Sequence, residues 1–196
     1  MKIRQLTFTL IIAVFLLPGC TILEEMVSFS RCEFRLGSVE NITLAGINVQ
    51  QVSSLSDLST ADAARLTGAL ATGTLPLNLT LNVDIRNPNQ ARASMNRLDW
   101  IMLIDDKQIV QGTSSQRVEI APNGGISTLP LSIEADLKSA LSGKTGDALI
   151  NFGLNLAGAG NQPTRITLRA KPFVEVGGRE ISYPGYLDIE NEFTSN

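Results

Sequence analysis

The residues best suited to chemistry in this 196-residue chain are two cysteines, two groups of acidic residues and one Lys-Ser pair. The chain contains no histidine, so a His-containing triad, a thiol–His pair or a His-ligated zinc site cannot be assembled. Carboxylates cluster at Asp105-Asp106 and at residues 190–192, which are positions typical of a turn and a tail. Lys138 with Ser139 is too generic a pair to indicate a nucleophile. We therefore predict a protein that is not an enzyme, with no catalytic residues, metal site or cofactor.

The amino-acid composition limits the kinds of partner that the protein is expected to bind. The chain has 16 Lys and Arg against 19 Asp and Glu, a net charge of −3. Proteins that bind nucleic acid need a basic face to displace counterions, so this balance argues against that partner. Hydrophobic residues make up 43% of the chain and charged residues 18%, which favours a folded domain over disorder. The length suits one domain with an appendage at most.

The first twenty residues predict an export signal that ends in a lipid anchor. Lys2 and Arg4 precede an apolar run of twelve residues, 6–17, which is too short to span a bilayer. Leu17-Pro18-Gly19-Cys20 then resembles the bacterial lipobox. The resemblance implies a signal peptide at residues 1–19 and lipidation of Cys20 with acyl chains such as palmitate. The alternative is an ordinary secretory signal with a cysteine at the cleavage site by chance.

This interpretation places the protein in the bacterial cell envelope, attached to a membrane through Cys20. Two or three acyl chains anchor a protein stably where one does not. Thr21, in place of the aspartate that retains many lipoproteins in the inner membrane, favours the outer membrane. We predict a lipidated tether at residues 20–38 and one domain at residues 39–196. Cys32, the only thiol left after lipidation, is expected to be reduced and poorly reactive.

Hydrophobic periodicity predicts a chain made mainly of strands. Residues 75–86 alternate between apolar and polar side chains over six repeats, which indicates a strand with one buried face. An early helix is predicted over residues 59–71, with Ser59 at its start and Gly73 after its end. Gly46 marks a change of parity, as a bulge or a twist in one long strand would produce. Further strands are predicted near residues 39–49, 98–104, 108–112, 117–120, 129–135, 148–156, 166–170, 173–176 and 180–183, with a short helix at 137–141.

Seven or eight such strands with turns between them predict an immunoglobulin-like antiparallel β-sandwich with one early α-helix. Alternating strands form sheets with one wet face, and two such sheets stack by their apolar faces. The alternative is a closed β-barrel of the lipocalin kind, which needs the same pattern.

A motif at the end of the longest strand resembles a known family. Residues 81–89, with the sequence LNVDIRNPN, are similar to the strand-plus-NPN signature of the late-embryogenesis-abundant type 2 proteins, also called the water-stress and hypersensitive-response (WHy) domain. The segments around Trp100, residues 109–112 and the sequence IAPNGG at 120–125 continue the likeness. It implies a sandwich of about seven strands with a helix, no catalytic residues and an association with stress. The helix before Leu75 and the residues 183–186 lie outside the shared region.

Two hypotheses of function follow. The first is a membrane-anchored accessory domain of the envelope that protects against stress or binds a protein partner. The second is a carrier of lipid or another apolar molecule in a groove of the sandwich lined by Leu66, Leu70, Leu77 and Leu79, residues that also suit a plain core. We interpret Asn87, Pro88 and Asn89 as architectural: the proline ends the strand, and the asparagines bond backbone groups that leave the ladder.

Overall fold

A computed structural model describes residues 28–50, 52, 55–156, 164–176 and 178–193. Residues 28–30 are helical and lead into the first strand. The remaining helices are α1 (Thr60–Ala71), α2 (Leu137–Ala140) and α3 (Gly146–Leu156), with a 3₁₀ turn at Leu55–Asp57. The strands are β1 (Glu33–Leu44), β2 (Ile47–Asn48), β3 (Pro76–Asn87), β4 (Ala93–Met95), β5 (Arg97–Ile104), β6 (Lys107–Ser114), β7 (Val118–Ile120), β8 (Gly125–Asp136), β9 (Thr164–Val176), β10 (Arg179–Ser182) and β11 (Leu187–Phe193).

The strands form two main antiparallel sheets and one short ribbon. The first sheet has the order β2-β1-β3-β8. In the second, β6, β5 and β9 lie side by side, and β10 and β11 pair with successive parts of the long strand β9. The ribbon pairs β4 with β7. The predicted mainly β fold is confirmed, although three strands of two or three residues raise the number above the seven or eight expected.

The two sheets share one hydrophobic core, as in a sandwich. Alternate residues of β3 point inward from Leu77 to Ile85, each 5% exposed or less. They meet Leu98, Trp100 and Met102 of β5, together with apolar residues of β9, in a single cluster. Within the described residues, no ladder joins the two sheets, which is the arrangement of a sandwich and not of the alternative barrel.

The first strand begins earlier than the sequence predicted. β1 starts at Glu33, within the segment predicted as tether, and its pairing with β3 shifts twice before Leu44. Gly46 is not a bulge or a twist within one long strand; it lies in a turn between two strands. Ala45 and Gly46 form a two-residue turn with positive φ angles of 50° and 76°, and the chain reverses into β2. Such turns match the twist of the strands they join.

The predicted early helix is confirmed with its cap. The Oγ of Ser59 accepts a hydrogen bond from the N–H of Asp62 at 3.1 Å, which satisfies one of the free donors of the first turn. Gly73 follows the end of the helix with a φ of 82°, a conformation that other residues adopt with strain. Leu66 is the residue of α1 that the core buries.

The strand predicted at residues 148–156 is wrong, because this segment is the helix α3. The apolar run fits both periods, and Leu149, Phe152 and Leu156 occupy one helical face that the core buries. The Oγ1 of Thr145 accepts a hydrogen bond from the N–H of Ala148, as an N-cap residue does. Gly153 packs directly on Leu44, since an added Cβ would lie 2.8 Å from its Cδ2.

Candidate functional site

Cys20, the predicted lipidation site, lies outside the described residues, as do the predicted signal peptide at residues 1–19 and Thr21. Among the helices in the described part of the chain, none combines the length and the hydropathy that crossing a bilayer requires. The anchor and the outer-membrane location therefore stay predictions.

The predicted Asn-Pro-Asn motif forms a turn, the NPN turn (Asn87, Pro88 and Asn89), with a buried polar centre. Asn87 shares the inward parity of Leu77 to Ile85 and is 0% exposed. Its Nδ2 donates to the carbonyl oxygens of Ala91 at 2.9 Å and Ile120 at 3.2 Å. Its Oδ1 accepts from the N–H of Asn89 at 3.1 Å and from the Nδ2 of Asn89 at 2.8 Å. The amide of Asn87 is thus bonded on both sides within the protein.

Main-chain bonds extend this network across the loop that follows β7. The N–H of Gly124 donates to the carbonyl of Asn87, and the N–H of Asn123 donates to the carbonyl of Asn89, each at 2.7 Å. Asn123 and Gly124 have positive φ angles of 59° and 87°, the left-handed conformation that Asn and Gly adopt most easily. The NPN turn therefore connects the end of β3 to the sequence IAPNGG at residues 120–125. The family resemblance rested on both segments, and the structure brings them into direct contact.

Leucines predicted to line an apolar groove lie in the core. Leu66, Leu77 and Leu79 are 5% exposed or less and belong to the shared hydrophobic cluster, and Leu70 packs against that cluster as a partly buried residue. The side chain of Leu70 also lies against Gly146 at the start of α3, where an added Cβ would be 2.8 Å from its Cδ1. These positions give the four leucines a packing role.

A cavity that the sequence did not predict lies beside α3. It has a volume of about 490 Å³ and is lined by the end of β5, the turn to β6, Leu141, Lys144 and one face of α3. The volume falls within the range of sites that bind small molecules. Because its walls come from two parts of the chain, residues 104–107 and 141–155, no local pattern could have placed them together. We call it the α3 cavity.

Asn155 is the polar residue that distinguishes the α3 cavity. It lines the cavity near the end of α3 and is 9% exposed. Within the described residues, its buried Oδ1 has no hydrogen-bond partner. A buried amide oxygen normally has a partner, so this atom is an exception that calls for an explanation. The signal available in the sequence was a polar residue inside an apolar run.

The acidic groups noted in the sequence lie in a turn and on a strand. Asp105 and Asp106 make the two-residue turn between β5 and β6, with positive φ angles, and Asp106 pairs with Arg165 at 2.9 Å. Glu190 is exposed on β11. No cluster of three metal-ligating side chains occurs among the described residues. Lys138 and Ser139 lie on α2, where Lys138 donates its main-chain N–H to Asp136.

Cys32 is half-buried at the start of β1. Its Sγ donates to the carbonyl oxygen of Ser28 at 3.5 Å. Burial, with a smaller effect from the charge of Glu33, raises the pKa of the thiol from 9.0 to about 11. The thiolate is the reactive form of cysteine, so a thiol with a raised pKa reacts slowly near neutral pH.

Charged residues on the outer face of the first sheet pair with one another. Arg35 pairs with Asp84 and Arg86 pairs with Glu33, each at 2.8 Å. The Arg35 guanidinium and the hydroxyl of Thr128 hydrogen-bond to Asp84 and lower the pKa of its carboxyl group. A shallow cavity of about 390 Å³ lies among these pairs. The charged residues that line this cavity are already paired with one another.

Comparison with known proteins gives likenesses of fold alone. No family model and no curated protein match the chain. A crystal structure of a protein from Archaeoglobus fulgidus is 16% identical, covers 82% of this chain and 98% of its own, and has a TM-score of 0.37. A solution structure described provisionally as a late embryogenesis abundant (LEA) protein is 11% identical, covers 99% of this chain and 89% of its own, and has a TM-score of 0.42. The second of these structures bears the late-embryogenesis-abundant name of the family that the motif at residues 81–89 resembles.

Proposed function

We propose that the protein is a lipid-anchored, non-enzymatic lipoprotein of the bacterial cell envelope, whose β-sandwich is a stress-protective or protein-binding accessory domain. The observation that carries the proposal is the sequence Leu17-Pro18-Gly19-Cys20 directly after a charged and then apolar leader. In the lipidated protein, Cys20 is the first residue of the mature chain and holds the membrane through its acyl chains, which include palmitate.

The distribution of charge supports an accessory domain over an enzyme. General acid and base catalysis needs titratable groups held close together with perturbed pKa values. Here carboxylates on exposed faces are paired with arginines, as in Arg169 with Asp188 at 3.2 Å and Arg92 with Glu119 at 3.1 Å. Exposed pairs of this kind contribute little to stability but keep a surface soluble. The stress-protective part of the proposal depends on the motif at residues 81–89.

The anchor is tested by cell fractionation with radiolabelled palmitate. The wild-type chain is expected in the membrane pellet and labelled. Cys20→Ser is expected to be unlabelled and to leave the membrane fraction or remain an unprocessed precursor. Cys32→Ser is the matched control, because it removes the other cysteine and should behave as wild type. If Cys20→Ser stays in the pellet after a high-salt wash with full palmitate label, the anchor is refuted.

The accessory role is tested in cells that lack the chain. Survival after drying or envelope stress is expected to fall, and to recover with wild type but not with Cys20→Ser, since the domain must be held at the membrane. Recovery by Cys20→Ser would show that location is unimportant. Unchanged survival of the deletion strain under all of these stresses, with no partner recovered by crosslinking at the membrane, would refute the role.

A further inference from the structure

The α3 cavity has an apolar wall at one end of the sandwich. Ile104 ends β5, Leu141 follows α2, and Leu149 and Phe152 lie on α3; all four line the cavity and belong to the hydrophobic core. A surface of this kind holds a hydrocarbon chain by burying it from water. At about 490 Å³, the cavity has room for a ligand of moderate size.

The charge at the cavity is positive. Lys107 and Lys144 line it with one carboxylate, Asp105. Both lysines are exposed, and neither forms an ion pair with any of the described residues, whereas the neighbouring Asp106 is paired with Arg165. Two free ammonium groups beside an apolar wall complement a ligand that has an anionic group at the end of an apolar chain.

Asn155 adds a buried polar group to the apolar wall and the two lysines of the cavity. Its side chain is more than nine-tenths buried, lines the cavity, and leaves Oδ1 without a partner within the described residues. An amide oxygen in this position lowers the stability of the fold unless a donor reaches it. A ligand hydroxyl or amide in the cavity is such a donor.

We propose that the α3 cavity binds a single-chain amphiphile with an anionic head group. The chain packs against Leu149 and Phe152, the head group pairs with Lys107 and Lys144, and a hydroxyl or amide on the ligand donates to Asn155. A hydroxylated fatty acid and a phosphate-headed lipid share this chemistry. The site is separate from the leucines first predicted to form a groove, and it does not depend on the anchor at Cys20.

The test uses the full chain with Cys20→Ser, purified without detergent, and titration calorimetry below the micellar concentration of each probe. Decanoate and decyl phosphate represent the two sources of ligand, and decan-1-ol is the neutral probe. At least one anion is expected to bind more tightly than the alcohol. The tighter anion identifies the source. Absence of heat with every probe would overturn the proposal and leave the anchor at Cys20 untouched.

Two substitutions locate the site. Ala148→Trp places a large ring at an exposed position that lines the cavity, and it is expected to abolish binding of all probes. Ser139→Trp is the control, at an exposed position of α2 that is not among the lining residues. Binding that survives Ala148→Trp, with circular dichroism unchanged, would place the probes elsewhere and overturn the proposal.

Substitution of the lysines tests the head group. Lys107→Ala and Lys144→Ala are each expected to weaken anion binding about two- to fivefold, the effect of losing one exposed ion pair, and to leave decan-1-ol unchanged. Lys138→Ala, a lysine outside the cavity lining, should change neither. Equal losses for the anions and the alcohol would contradict an electrostatic role.

Asn155 is tested with 3-hydroxydecanoate, which adds one hydroxyl to decanoate. The Cys20→Ser chain, with Asn155 intact, is expected to bind the hydroxylated probe about two- to tenfold more tightly than decanoate, as one neutral hydrogen bond allows. Asn155→Leu should remove this preference and retain binding of decanoate. If the Cys20→Ser chain shows no preference, Asn155 bonds only to water and its part in the proposal is wrong.

Discussion

The side-chain amide of Asn89 donates a hydrogen bond to the main-chain carbonyl of Ser28 at 2.7 Å, across 61 residues of sequence. This bond joins the NPN turn to the helical residues that lead into β1. The same amide also donates to the Oδ1 of Asn87. The point at which the chain enters the domain is therefore fixed by the motif that ends the longest alternating strand.

Asn87→Ala is expected to lower the free energy of unfolding by about 1–3 kcal/mol. The substitution removes every side-chain bond of a fully buried amide and leaves the carbonyl of Ile120 without its donor. Urea unfolding followed by circular dichroism measures the change.

Asn82→Ala is the matched control on the same strand. Asn82 faces outward and bonds Ser38 and Glu40 at the exposed surface, where water replaces the lost partners. Its effect should be below about 0.5 kcal/mol. If Asn87→Ala keeps wild-type stability but loses a partner or ligand, the architectural interpretation of Asn87 is wrong and a binding role takes its place.

Gly112→Ala is expected to destabilise the domain by about 1–3 kcal/mol. Trp100 pairs with Gly112 across β5 and β6, and an added Cβ would meet the six-membered part of its ring closer than real contacts allow. Trp100 is the only tryptophan, so its fluorescence reports the displacement directly.

Gly68→Ala gives the opposite sign and serves as the comparison. Gly68 lies within α1, and nothing lies within 4 Å of an added Cβ. Replacing glycine in a helix interior should stabilise the domain by about 0.5–1 kcal/mol. Equal effects at Gly68 and Gly112 would show that the contact with Trp100 is unimportant.

Cys32 should give the domain a stability that falls at alkaline pH. Its folded pKa of about 11 lies above the ordinary 9.0, so the folded state holds the proton more tightly than the unfolded state. The contribution is complete below pH 9 and is lost as the pH rises toward 11. Urea unfolding of wild type and Cys32→Ala, measured from pH 8 to 11, should show a steeper decline in wild type. Parallel curves would contradict the raised pKa.

The same residue should react slowly with a thiol reagent at pH 8 until denaturant is added. In the Cys20→Ser chain, Cys32 is the only cysteine, so the labelled fraction measures it alone. Rapid stoichiometric labelling of the folded chain, or a disulfide-linked dimer, would oppose this expectation.

Asn155→Leu should raise the free energy of unfolding by about 1–3 kcal/mol in the absence of ligand. The substitution replaces a buried polar atom that has no partner with an apolar group of similar size. Asn151→Leu, at an exposed position on α3, should be nearly neutral. A loss of stability with Asn155→Leu would mean that the amide is already satisfied.

Hydrophobic periodicity predicted the elements in which one face contacts the core and the other contacts water. β3 alternates because one face meets the core and the other meets water, and Ser59 starts α1 through a local bond. The structure continues this parity to Asn87, which is buried although its polarity alone suggests a surface residue. Local chemistry was sufficient in each of these places.

Elsewhere the sequence was ambiguous or silent for physical reasons. The apolar residues of α3 are dense enough to satisfy a period of two as well as 3.6, and only tertiary packing against Leu44 decides between them. The strand β11 was missed although Leu187, Ile189 and Phe193 alternate with acidic residues, because so many carboxylates in a short segment also suit a solvated tail. The α3 cavity forms where residues 104–107 meet residues 141–155, so no spacing of residues could reveal it.

The length of β3 separates the two ends of the molecule. Asn87 and the contact with Ser28 lie at one end of this strand, whereas Pro76 pairs with Asp136 next to α2, at the end that holds the α3 cavity. Twelve extended residues place these ends about 35–37 Å apart. In a protein held at a bilayer through Cys20, the tethered pole is then the opposite one from the cavity. An amphiphile bound there would enter the domain from the end opposite Ser28.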